Sequence, residues 1–213
     1  VAKAMVEVPV MKIIETRAAP NPRRVRMFLA EKGIAMSFEE LDLMKGDLKT
    51  PGFSAMNPLQ RVPVLVLDDG TVLSETVAIC RYFEELQPEP ALFGRGALGR
   101  ATTEMWQRRI ELHLLGSIAH AFRHLHPAMA KLEVPQVAAW GEANKPRVLE
   151  MLELMDKRLA ETRFIAGGDY SIADITGLVS IDFMRPARIQ RPAGLSNLER
   201  WYGEVSSRPS AKA

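Results

Sequence analysis

Cysteine is almost missing from this sequence: Cys80 is the only one in 213 residues. A lone thiol can form neither a disulfide within the chain nor a thiolate metal cluster, and such usage suits a reducing cytoplasm. An excess of one charge is missing too. The 28 Lys and Arg are balanced by 26 Asp and Glu, leaving a net +2, so no general field gathers nucleic acid or anionic lipid and any basic site has to be local. No apolar run nears the roughly 20 residues of a membrane helix, and no signal-like leader is read at the front. Internal repeats and low-complexity tracts are absent as well. The expectation is a cytoplasmic, globular protein with neither nucleic acid nor membrane as a partner.

What is present is enough apolar residue, 47%, to bury a core, in a chain long enough for one large domain or two small ones. Residues 1–10 lack an initiator Met and precede Met11, so they read as an expression remnant or an upstream start and are set aside. From Met11 the pattern predicts a strand over 12–15, a helix over 22–32 and a strand over 37–41. Asn21 reads as the N-cap of that helix, Pro22 as its first residue and Gly33 as its stop. A polar connecting stretch follows over 44–60. Then two apolar runs, 64–67 and 71–73, flank Asp68-Asp69-Gly70 as a hairpin, and Val77, Cys80, Phe83 and Leu86 give a helix over 75–86. Residues 87–97 turn to Pro, Gly and small side chains, a domain linker. Beyond it only helices are read, at about 98–125, 136–161, 171–184 and 195–207.

Three stretches carry a family likeness. Asn57-Pro58-Leu59-Gln60-Arg61-Val62-Pro63-Val64-Leu65, Ser74-Glu75-Thr76 and Gly168-Asp169-Tyr170-Ser171-Ile172-Ala173-Asp174-Ile175, in the β-α-β then β-β-α order, resemble the glutathione transferases. They are similar to that family's NPxxxVPxL segment, its glutamyl-binding turn and the N-capping segment of a buried helix. The likeness spans about 11–208. It is strongest to bacterial transferases carrying Pro20-Asn21-Pro22-Arg23-Arg24-Val25-Arg26 near the N-terminus, related to the theta-like and nu-like branches. The resemblance implies an α/β thioredoxin-like, glutathione-binding domain over 11–86, a linker over 87–97 and an all-α domain over 98–213 that shapes an electrophile pocket. It also implies glutathione as co-substrate, a cis bond before Pro63 and a homodimer.

The residue types suit that ligand. A γ-glutamyl group carries an ammonium beside a carboxylate, so its site needs an acid next to anion-binding donors. Glu75 supplies the acid. Thr76 and the first-turn amides of a helix capped by Ser74 supply the donors, although Ser74 could equally be a plain helix cap. Val62, ahead of Pro63, keeps its amide and carbonyl free to pair with the tripeptide backbone, and the bland alternative for Pro63 is a strand-starting proline. Arg61 and Lys49 are candidates for the glycyl carboxylate, or else ordinary surface charges.

Activation of the thiol means lowering a pKa near 8.5 by about 2 units, about 2.7 kcal/mol in favour of the thiolate. A helix N-terminus can do this. Where the related branches carry a hydroxyl or thiol, this chain reads Arg17-Ala18-Ala19-Pro20-Asn21, so the Asn21 side-chain amide is the expected thiolate donor, with Thr16 and the amides of residues 21–23 as alternatives. Cys80 falls on an apolar stripe and reads as an inert thiol.

In the helical half, Trp106, His113, His120 and His124 fall on one stripe, expected to line the electrophile pocket or the dimer seam. His120 and His124 have ligand spacing but no HExxH carboxylate, so no metal site is assigned. Gly94-Arg95-Gly96-Ala97-Leu98-Gly99 matches GxGxxG but follows no strand, and reads as a turn. The function expected is attack of glutathione thiolate on a hydrophobic electrophile. The same site could instead serve a glutathione-dependent peroxidase or isomerase, and the missing hydroxyl leaves open a glutathione-binding regulatory protein without turnover.

Overall fold

The computed structural model describes residues 11–213, so the reading of residues 1–10 lies outside them. The chain divides into two compact units, one running up to Pro90 and the other from Ala91 to Lys212. The first opens with β1 (Lys12–Glu15), α1 (Pro20–Lys32) and β2 (Ser37–Glu40). It continues with α2 (Pro51–Met56), β3 (Val64–Val66), β4 (Val72–Ser74) and α3 (Thr76–Leu86). The strands lie in the order β2-β1-β3-β4, with β1 and β2 parallel and the other pairs antiparallel. A parallel pair needs a crossover, which α1 provides, whereas the β3–β4 hairpin needs only its short turn, closed by Gly70 at φ 85°.

Side chains alternate across a strand, so Ile13 and its partner Leu65 face one side while Ile14, Val64 and Val66 face the other. Both sides are covered. α1 and α3 pack together over the first, burying Val25, Phe28, Ile79 and Phe83. Leu48 and Phe53 close over the second. Those two residues come from the stretch expected to be a polar connection, which instead forms 3-10 turns at Leu43–Lys45 and Asp47–Lys49 and then α2. Thr50 caps α2, its Oγ1 accepting the Phe53 N–H at 3.4 Å. Six residues with a single buried side chain are too few to show a helical period.

Lys32, at the far end of α1, is buried. Its ammonium lies 2.5 Å from Glu84 Oε2 and donates to the carbonyls of Gln87 at 2.8 Å and Pro90 at 2.5 Å. Gln87 Nε2 donates back to the Lys32 carbonyl at 2.6 Å. One cation thus ties the ends of α1 and α3 to the chain leaving the unit. Lys32→Met keeps the apolar stem but removes the charge facing buried Glu84, and an expected loss of about 3 kcal/mol should read out in urea unfolding. An unshifted midpoint would show that the pair contributes nothing net.

In the second unit α4 (Gly96–Arg109) runs through a π-helical segment (Ile110–Leu115) into α5 (Gly116–Leu125). After these come α6 (Ala138–Glu161), α7 (Ile172–Met184) and α8 (Ser196–Ser206). The glycine-rich run only opens α4: Gly94 takes φ 84°, and a Cβ on it would lie 2.6 Å from the Gly99 carbonyl oxygen. α7 is buried along nearly its whole length, with α4, the π segment and α8 against it. A helix enclosed on nearly every face belongs at the centre of a bundle. Asp174, in its first turn, accepts four hydrogen bonds: from the Ile165 and Ser171 amides at 2.9 Å, from Ser171 Oγ at 3.0 Å and from Trp201 Nε1 at 2.8 Å. Among the described residues no helix is long and apolar enough to cross a membrane.

Candidate functional site

The hairpin register builds the first half of the site. Val64 pairs with Ser74, so the residues just before β3, Val62 and Pro63, lie beside those just after β4, Glu75 and Thr76. The four residues expected to grip a peptide backbone and its glutamyl end are thereby brought together. The Val62–Pro63 bond is cis, and Asn57 braces the loop ahead of it: buried, it donates from Nδ2 to the Arg61 carbonyl at 2.8 Å and accepts the Leu59 N–H at 3.1 Å. Arg61 is exposed, with Nη1 3.4 Å from the Gln60 carbonyl, and Lys49 is exposed at the end of its 3-10 turn.

Ser74 is not the cap of the helix that follows. It is spent in the β3–β4 ladder, and Glu75 becomes the N-cap at φ 68°, ψ 115°, with Thr76 the first helical residue. That conformation is costly for a residue with a Cβ. Glu75 is exposed and makes no capping bond, so an acid stands next in sequence to the first-turn amides of α3, which favour an anion.

The start of α1 departs from expectation in a similar way. The helix begins at Pro20, two residues early, its N-cap is Ala19, and no side chain caps it. Asn21 is therefore not an N-cap but the second helical residue, with its side chain exposed. Two prolines make the difference. Of the four amides a helix start normally leaves open, Ala19 donates to the Thr16 carbonyl at 2.9 Å, while Pro20 and Pro22 have no proton to give. The Asn21 N–H remains. Thr16 drops out as a thiol donor, because its hydroxyl already donates to the Leu41 carbonyl at 2.7 Å. The loop is fixed from behind by two bonds: Glu40 Oε1 accepts the Arg17 N–H at 2.9 Å, and Arg26 Nη2 donates to the Arg17 carbonyl at 2.9 Å. Arg26 itself is held by the buried carboxylate of Glu15 at 2.5 Å.

In the helical unit the expected stripe breaks. Trp106 is buried, with the guanidinium groups of Arg109 and Arg158 over its ring at 4.9 and 5.5 Å, and it does not line the cavity that holds His113 and His120. A π segment takes up an extra residue per turn, so the seven-residue step from Trp106 to His113 fails within it. His113 and His120 do share a cavity of about 420 Å³ with Leu112, Trp140, Arg147 and Leu154. His120 meets the Trp140 ring edge-on at 5.6 Å, and burial, with His124 nearby, pushes its pKa below the usual imidazole value. The Arg147 guanidinium lies over the Trp140 ring at 5.2 Å.

Reading the sequence missed Arg24 and Arg26. Both are buried on α1, Arg24 donating from Nη1 to Thr76 Oγ1 at 2.8 Å. Arginine at alternate positions of a helix looks like solvated surface, and nothing local marks these two as enclosed.

The chain matches the family described as glutathione S-transferase, N-terminal domain, over residues 18–86, and its C-terminal counterpart over 138–204. Glutathione S-transferase 2 of Saccharomyces cerevisiae is 37% identical over 205 residues, 95% of this chain and 88% of that protein. A crystal structure of a glutathione S-transferase domain-containing protein from Marinobacter aquaeolei superposes with a TM-score of 0.91 at 36% identity, covering 93% of this chain and 98% of that one. Maleylacetoacetate isomerase of Pseudomonas aeruginosa is 37% identical over a shorter stretch of 93 residues, 43% of this chain and 44% of that protein.

Proposed function

Since this chain belongs to the glutathione S-transferase family, with glutathione as co-substrate, we propose that its thiolate is stabilised at the start of α1 by Asn21. The observation that carries this reading is the double proline, which leaves the Asn21 amide as the open backbone donor there, with the side-chain NH2 on the same residue. Val62, Pro63, Glu75 and Thr76 hold the peptide, with Arg61 and Lys49 toward its glycyl end. Deprotonation then needs no base on the protein, since dipole and donors favour the anion.

The electrophile is small and hydrophobic in this proposal. Support comes from the cavity at His113 and His120, whose Leu112, Trp140 and Leu154 offer apolar surface beside the Arg147 cation. Homodimer formation is supported by Leu98 and Met105, exposed seven residues apart on α4. The single buried thiol of Cys80 supports a cytoplasmic place of action. A glutathione-dependent isomerase reading is favoured only by the partial likeness to maleylacetoacetate isomerase, and a substrate panel separates it from conjugation.

The thiolate assignment is tested by the pH dependence of kcat/KM with a chloronitrobenzene. In Asn21→Ala the apparent thiol pKa is expected to rise by about 1 unit, lowering the rate about tenfold below that pKa and little above it. An unmoved pH profile would take Asn21 out of the chemistry.

A further inference from the structure

We propose that Arg24 is a positioning residue for glutathione: it orients the Thr76 hydroxyl as a donor to the glutamyl carboxylate and lays a positive charge beneath that anion. The inference rests on the reading of the turn at Glu75 and Thr76 as the glutamyl site. Its starting point is a single contact. Arg24 Nη1 donates to Thr76 Oγ1 at 2.8 Å, the guanidinium is fully enclosed, and Thr76 is 7% exposed.

A guanidinium can only donate, so the bond occupies a lone pair of the Thr76 oxygen. The single hydroxyl proton is then left for an acceptor elsewhere. Thr76 is the first residue of α3, immediately after Glu75, where the amides of the first turn already favour an anion. The result is a relay from guanidinium to hydroxyl to carboxylate, in which each bond polarises the next. The buried position adds to the effect, because a charge away from water acts on its neighbours with little screening. The neighbouring arginine on the helix, Arg26, is engaged with Glu15 and does not compete for this role.

The test is calorimetric titration of the full chain with glutathione and with an analogue whose glutamyl α-carboxylate is an amide. In Arg24→Gln, glutathione affinity is expected to fall about tenfold, with KM for glutathione rising to match and kcat at saturation unchanged, while affinity for the amide analogue changes by less than about twofold. Equal losses for both ligands, or a fall in kcat alone, would overturn the proposal. Because Arg24 is buried, Thr76→Val is read in the same way with the guanidinium intact, and the same selectivity for the carboxylate ligand is expected. Wild-type protein that binds neither peptide would overturn the glutamyl-site reading itself; wild-type protein that binds both, with variants that lose both equally, overturns only the role of Arg24.

Discussion

Asp174→Ala is expected to destabilise the helical unit by about 5 kcal/mol and to abolish its cooperative unfolding near physiological temperature. Four donors converge on this carboxylate: two backbone amides, the Ser171 hydroxyl and the Trp201 indole. Alanine would leave them enclosed without an acceptor, and a buried unsatisfied donor costs about 1–3 kcal/mol each. Water can enter the vacated space only in part, since Gly177 lets Trp201 and Ile165 press close: a Cβ there would lie 3.0 Å from Trp201 Cη2 and 2.8 Å from Ile165 Cδ1. The capping contribution alone would be worth only about 1 kcal/mol. The size of the loss therefore decides between a helix cap and a clamp joining α7, α8 and the 165 loop. A thermal shift matching about 1 kcal/mol would reject the clamp.

The same group sets a pH dependence. Burial pushes the Asp174 carboxyl up from the ordinary 3.8 to about 6, although all four donors pull it down. Between those two values the native state holds a proton that the unfolded chain has released. Stability from this group is therefore fully present below about pH 4, falls as pH rises toward about 6, and is flat above, a change of roughly 3 kcal/mol. The difference in stability between wild type and Asp174→Asn across pH 4–7 isolates it, because Asn does not titrate there. A difference that stays constant across that window would contradict the raised value.

The second large effect is expected at Glu75, where stability and binding should move in opposite directions. The backbone there, φ 68° and ψ 115°, suits glycine and costs a residue with a Cβ about 1 kcal/mol or more. Nothing in the fold needs a carboxylate at this point, since the side chain is exposed and makes no capping bond. Glu75→Gly should thus raise the unfolding free energy by about 1 kcal/mol. It should also weaken glutathione about 100-fold, the loss of a charge-assisted bond to the ligand ammonium. Glu75→Gln, which keeps the strain and drops the charge, should lose most of the affinity and gain no stability. A glycine variant that binds glutathione as tightly as wild type would remove Glu75 from the site and leave its strain unexplained.

Particular residues show where sequence reasoning reached and where it stopped. The hairpin was readable because Asp68-Asp69-Gly70 sits between apolar runs, and its register alone brings Val62-Pro63 to Glu75-Thr76. The Ser171 and Asp174 pair was readable as a capping box because its partners are three residues apart. Helix starts were misplaced where another rule intervened: Pro20 fits a first helical turn as well as Pro22 does, and Ser74 was claimed by a strand. Trp106 was read on one stripe with His113 and His120, but it is buried outside the cavity those two line, and the π segment that intervenes has no signature in apolar spacing.

The strand order along the chain, α1, α3 and the hairpin that sets the Val62-Pro63 and Glu75-Thr76 loops beside each other were legible in sequence alone, since each depends on residues close in the chain, whereas α2 and the π segment were not. Only the tertiary structure decided that Arg24, Lys32 and Asp174 are enclosed, because their partners Thr76, Gln87 and Trp201 lie 52, 55 and 27 residues away. A charged side chain reads the same in a sequence whether water or protein surrounds it, and its energetic weight depends on which of the two does.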